Sequence, residues 1–171
     1  IIGLLVGGAL ALAGAVMQGV FSNPLADPGI MGVSAGASLG AVIAIALGFT
    51  SLGMFYMPAF AFVGAFVSVG ITILLTLRNN KLDTTTLLLA GVAVSMLLGA
   101  FTSGILTMIN EYRLREFLFW MVGGLDFRRW DHVLLAVGPI MTGSVILMML
   151  GRHLNVLVLG DTEARALGVP V

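Results

Sequence analysis

No cysteine occurs in the sequence, and only 9% of its 171 residues are charged. The first absence excludes disulfides, thiolate metal sites and cysteine nucleophiles. The second excludes an ordinary soluble domain, in which roughly 25% of residues carry charge. Lys and Arg together number eight and Asp and Glu eight, so the net charge is zero and there is no basic surface to attract nucleic acid. The acids are scattered between apolar runs, and no HExxH, phosphate-loop or DxD pattern occurs. The two histidines, His132 and His153, stand at opposite ends of one apolar run, about 30 Å apart on a helix, too far to share a metal. Neither a catalytic site nor a resident metal or cofactor is expected.

What is there is apolar: 59% of the residues are hydrophobic. This composition is that of an integral membrane protein embedded in a lipid bilayer, and five runs approach the roughly 20 residues a helix needs to cross it. They are 2–21, 33–49, 58–77, 85–109 and 132–150. The expectation is an all-α polytopic membrane protein forming a single transmembrane domain over 1–171. Run 33–49 is short and rich in Gly and Ala, so it needs protein neighbours more than lipid. Pro58 suits the first turn of its helix, and Asp83 or Thr84 can cap the next. The ten methionines recur at no ligand spacing and read as gap fillers between helices.

The stretch Asn23-Pro24-Leu25-Ala26-Asp27-Pro28-Gly29 separates the first two runs. Its two prolines remove backbone donors and fix φ, and Gly29 permits positive φ, so the chain must break and turn here. Directly after it Gly32, Gly36 and Gly40 recur every fourth residue, which on a helix makes a groove where a neighbouring backbone approaches closely.

Segment 110–131 changes character. It holds Glu111, Arg113, Arg115, Glu116, Asp126, Arg128, Arg129 and Asp131 around the apolar Phe117-Leu118-Phe119-Trp120-Met121-Val122. The latter is too short to span, so a surface-lying or re-entrant helix ended by Gly123-Gly124 is predicted. Orientation is undecided by charge: Arg78, Lys81, Arg152 and Arg165 fall on one side and Arg113, Arg115, Arg128 and Arg129 on the other. Near the end, Asp161-Thr162-Glu163-Ala164-Arg165-Ala166-Leu167-Gly168 reads as a short capped helix. The sequence opens and closes abruptly, in Ile1-Ile2-Gly3 and Val169-Pro170-Val171, which suggests a fragment.

Four blocks of this sequence resemble the FecCD family of ABC-transporter permeases, importers of iron siderophores, haem and cobalamin. They are Asn23 through Ala37, Leu87-Leu88-Leu89-Ala90-Gly91-Val92-Ala93, Trp120-Met121-Val122-Gly123-Gly124-Leu125, and Leu159-Gly160 with the octet that follows. The resemblance implies part of a ten-helix permease, without catalytic activity of its own, in a bacterial cytoplasmic membrane. It implies as partners an ABC ATPase subunit, an extracytoplasmic substrate-binding protein and a second permease copy. By it, Asn23, Pro24 and Leu25, with Thr84 and Thr85, lie by a cytoplasmic gate, and segment 110–131 is extracytoplasmic. Asp161, Glu163, Ala164, Arg165, Ala166, Leu167 and Gly168 form the coupling helix that fits a cleft on the ATPase. Arg113, Arg115, Arg128 and Arg129 are candidates for docking the binding protein. The implied cargo is a metal chelate, with ferric siderophore first and haem or cobalamin next. An ion-coupled secondary transporter or a channel is the alternative, and it would call for ionisable groups at mid-span, where this sequence has none.

Overall fold

The structure is a computed structural model that describes residues 1–77, 84–126 and 128–157. The loop at 78–83, with Asp83, and the octet at 161–168 lie outside the described residues. Among the described residues six α-helices follow one another: α1 (Ile2–Val20), α2 (Val33–Ala46), α3 (Tyr56–Thr76), α4 (Thr84–Met108), α5 (Glu111–Val122) and α6 (Trp130–Leu157). Single 3-10 turns at Pro28–Met31 and Phe49–Leu52 flank α2. Among the described residues there is no strand. In hydrocarbon a backbone must satisfy its own polar groups, and a helix does so within one segment.

Four of these helices, α1, α3, α4 and α6, are long and apolar enough to cross a membrane. The other two are shorter: α2 has 14 residues and α5 has 12, about 21 Å and 18 Å of rise. Pro58 is the third residue of α3, still inside the first turn where no intrahelical donor is required. Helix α6 is longer than the run 132–150 and passes through Pro139 without ending. The proline removes one ladder bond there, and next to it the Thr142 hydroxyl donates to the Gly138 carbonyl at 2.9 Å.

The chain divides into two compact units. One comprises Ile1–Pro28 and the chain from Leu125 onward, in which α1 packs against α6; neither helix has a buried residue among those described. The other, Gly29–Gly124, is built around α2, which packs against α3, α4 and α5. Six α2 residues are buried: Gly36, Gly40, Ala41, Val42, Ala44 and Ile45. Lipid is as apolar as leucine, so close packing rather than exclusion of water must hold such helices together, and small residues make close packing possible. Away from the glycines, Val42 and Ile45 meet the fully buried Phe117 of α5, with Leu39, Ile105, Ile109 and Trp120 around them.

Candidate gate loop and the seat beneath it

Helix α1 ends in a double hydrogen bond. The Asn23 N–H donates to the Gln18 carbonyl at 3.1 Å and the Ser22 N–H to the Gly19 carbonyl at 3.2 Å. That is the Schellman pattern, with Ser22 at φ 46° where glycine is usual. The chain then turns at once: the Asn23 side chain Oδ1 accepts from the Leu25 N–H at 2.9 Å, and the Asn23 carbonyl accepts from the Ala26 N–H at 3.1 Å. An Asx turn of this kind fixes the backbone across Pro24 and leaves Leu25 standing out, 84% exposed.

The second unit takes over at Gly29, and its first residues are held tightly. Gly91 of α4 lies so close to the Ile30 carbonyl that no Cβ fits there. The Thr72 hydroxyl of α3 donates to the Met31 carbonyl at 3.2 Å, and the buried Ser68 hydroxyl donates to the Gly32 carbonyl at 2.8 Å. Gly32 is buried at φ 84°, and a Cβ on it would stand 2.5 Å from the Ser68 Oγ. Three consecutive residues are thus seated on two helices.

The glycine ladder continues the contact. A Cβ on Gly36 would strike the Gly64 carbonyl, one on Gly64 would strike the Gly36 carbonyl, and one on Gly40 would strike the Phe60 carbonyl. As α2 numbers rise the α3 numbers fall, so the two helices run antiparallel with their backbones almost touching. The complementary stripe on α3, Gly64, Ser68, Thr72 and Thr76, also has period four. Each of Ser68, Thr72 and Thr76 is buried, and their donors are taken up by carbonyls of α3 itself or of the turn before α2.

Thr84 and Thr85 are exposed at the start of α4, in the second unit, whereas 23–25 belong to the first. The four arginines have different surroundings. Arg113 donates from Nη1 to the Ala46 carbonyl at 2.8 Å, the last residue of α2, where the helix dipole is negative and Gly48 at φ 77° ends the helix. Arg115 pairs with Glu111 at 3.5 Å and Arg129 with Asp131 at 3.8 Å, both on exposed surface. Arg128 and Arg129 line a shallow recess with Trp130, Leu125 and Ile2 in the first unit. His132, in the first turn of α6, accepts at Nδ1 from the Arg129 N–H at 3.2 Å, which is the return half of a capping box.

Gly32-Val33-Ser34-Ala35-Gly36 and Gly36-Ala37-Ser38-Leu39-Gly40 both have the G-x-S-x-G spacing of a hydrolase nucleophile elbow. The elbow's chemistry needs a strained strand-to-helix turn. Here Ser34 and Ser38 sit inside α2, and the glycines serve packing. Among the described residues no cluster of His, Asp and Glu could hold a metal.

The FecCD transport family matches this chain over residues 1–171. The cobalamin import system permease protein BtuC of Halobacterium salinarum is 42% identical over 172 residues, covering 100% of this chain and 46% of that protein. The vitamin B12 import system permease protein BtuC of Citrobacter koseri is 39% identical over 168 residues, 98% of this chain and 50% of that one. The chain spans about half the length of the curated relatives it matches. A solved metal-chelate type ABC transporter in an inward-facing conformation superposes with a TM-score of 0.86 at 33% identity, covering 97% of this chain and 52% of that chain.

Proposed function

Because the chain belongs to the FecCD transport family, we propose that it is permease sequence of an ABC importer, carrying a bulky metal complex inward across the cytoplasmic membrane under the power of a separate ATPase. The observation that carries this reading is the family match from the first residue to the last. The physical picture agrees with it. A wide pathway for a preassembled chelate asks for packed helices and a gate rather than for ionisable groups at mid-span, and the helices offer the former.

Cobalamin moves ahead of ferric siderophore as the proposed cargo, because both curated relatives described above are import permeases for cobalamin or vitamin B12. In the mechanism we infer, Asn23, Pro24 and Leu25 narrow the cytoplasmic end of the path with Thr84 and Thr85. The octet at 161–168 seats on the ATPase through Ala164, Ala166 and Leu167 as its apolar side. Arg113, Arg115, Arg128 and Arg129 meet an extracytoplasmic binding protein, and two permease copies enclose the pathway. Arg113 has five donors and gives one of them to α2.

The test is uptake in cells that lack their own cobalamin permease, supplied with the full permease, its ATPase and its binding protein. Labelled cobalamin should accumulate, and a transporter carrying Leu167→Asp should fail both to accumulate it and to co-purify the ATPase, since a carboxylate buried without a partner costs about 3–5 kcal/mol. Uptake of ferric siderophore alone would reverse the cargo. ATPase capture and transport undiminished in Leu167→Asp would remove the coupling assignment.

A further inference from the structure

Two carbonyls compete for the one proton of the Thr72 hydroxyl: Ser68 of its own helix at 3.0 Å and Met31 of the turn before α2 at 3.2 Å. Threonine has a single O–H to donate, and a turn about its C–O bond is enough to redirect it. The neighbouring Ser68 differs, directing its proton across to the Gly32 carbonyl at 2.8 Å. Thr72 is fully buried, so water cannot take either place.

The consequence is an asymmetry. Because the Thr72 proton has the Ser68 carbonyl as a second acceptor, no donor on α3 would be orphaned if the turn at Pro28–Met31 moved. Gly32, at φ 84°, is tied to α3 separately, through the Ser68 hydroxyl on its carbonyl. Gly91 closes the other side of the turn by its approach to Ile30. Helix α3 therefore holds the chain that leaves the proline loop by one hydroxyl that has a second acceptor on α3 and by another directed to Gly32.

We infer that Thr72 is a positioning residue of the gate, a one-proton latch that holds the turn behind the proline loop when directed to Met31 and frees it when directed to Ser68. The inference rests on the reading of residues 23–25 as a gate, and its test separates the two. Leu25→Cys serves as reporter in the assembled transporter, with other cysteines removed, and its modification by an impermeant thiol reagent is followed with and without trapped ATP. Leu25 is exposed in this structure, which makes it an accessible reporter.

In the reporter background the modification rate is expected to change several-fold between nucleotide states. Thr72→Val keeps the shape and removes the proton, Thr72→Ala removes both, and each should bring that ratio near unity while ATPase co-purification persists. Thr72→Ser should restore it. A reporter that reacts equally in all states would sink the gate and the latch together. A reporter that responds to nucleotide in Thr72→Val and Thr72→Ala as it does with Thr72 present would overturn the latch alone. Failure of both variants to assemble while Thr72→Ser assembles would make Thr72 a structural residue and overturn the latch as well.

Discussion

Single residues decide whether backbones can meet. At Gly36 an added Cβ would stand 2.5 Å from the Ser68 Cβ and closer still to the Gly64 carbonyl, whereas at Gly70 on the same α3 an added Cβ meets nothing within 4 Å. Gly36→Ala should therefore destabilise the protein by about 1–3 kcal/mol through overpacking. Gly70→Ala should be neutral or stabilising by up to about 1 kcal/mol, because alanine suits a helix interior better. Thermal unfolding in detergent checks both, and equal effects would mean that the α2–α3 approach is not closely packed. Ser22 poses the opposite case, an L side chain at φ 46° in a position that glycine fills without strain. Ser22→Gly should raise the unfolding midpoint, corresponding to at most about 1 kcal/mol.

Elements show which parts of the architecture the sequence made legible. The apolar runs announced the long helices, and the four-residue spacing of Gly32, Gly36 and Gly40 announced a close contact, because both depend on periodicity within one segment. The partner stripe Gly64, Ser68, Thr72 and Thr76 has the same spacing, yet hydroxyls in a membrane helix can bond to their own turn and give no sign of a neighbour. Pro139 lies within the expected run 132–150, and α6 continues through it, as a spanning helix packed in protein tolerates. Arg113 was legible only as charge. Its acceptor is a backbone carbonyl 67 positions away, a partner no side chain reveals. Helix α5 is thereby pinned to the end of α2 at two places, by Arg113 and by Phe117 against Val42 and Ile45. Arg113→Ala should cost about 1.5–3 kcal/mol, the range for a hydrogen bond to a charged group. Arg115→Ala, which breaks only an exposed pair, should stay within about 1 kcal/mol. The two unfolding midpoints compared side by side decide it, and indistinguishable midpoints would remove the capping role of Arg113.

At the scale of the molecule the question is whether α2, at 14 residues, crosses the membrane at all. Its rise of about 21 Å falls short of a hydrocarbon core of roughly 30 Å. Length alone would suggest a re-entrant segment. Its packing argues otherwise. The turn before α2 is bonded to Thr72 near the end of α3, and Phe49 in the turn after it stacks on Tyr56 and meets Phe60 at a tilt near the start of α3, with ring centroids 6.2 Å and 5.2 Å apart. Between Tyr56 and Thr72 lie about 24 Å of the roughly 30 Å that α3 rises. A segment lying alongside a spanning helix over that distance crosses with it, and because α2 is enclosed by α3, α4 and α5 its ends need not reach the lipid interface. The irregular turns that flank it are tolerable for the same reason. We therefore expect residue 25 and residue 54 to lie on opposite faces of the membrane. The chain has no cysteine, so Leu25→Cys and Met54→Cys each introduce one thiol into this part of the permease, at exposed positions. With an impermeant maleimide and no nucleotide, Leu25→Cys should label in inside-out vesicles and Met54→Cys in right-side-out vesicles. Labelling of both from the same face would show that α2 turns back.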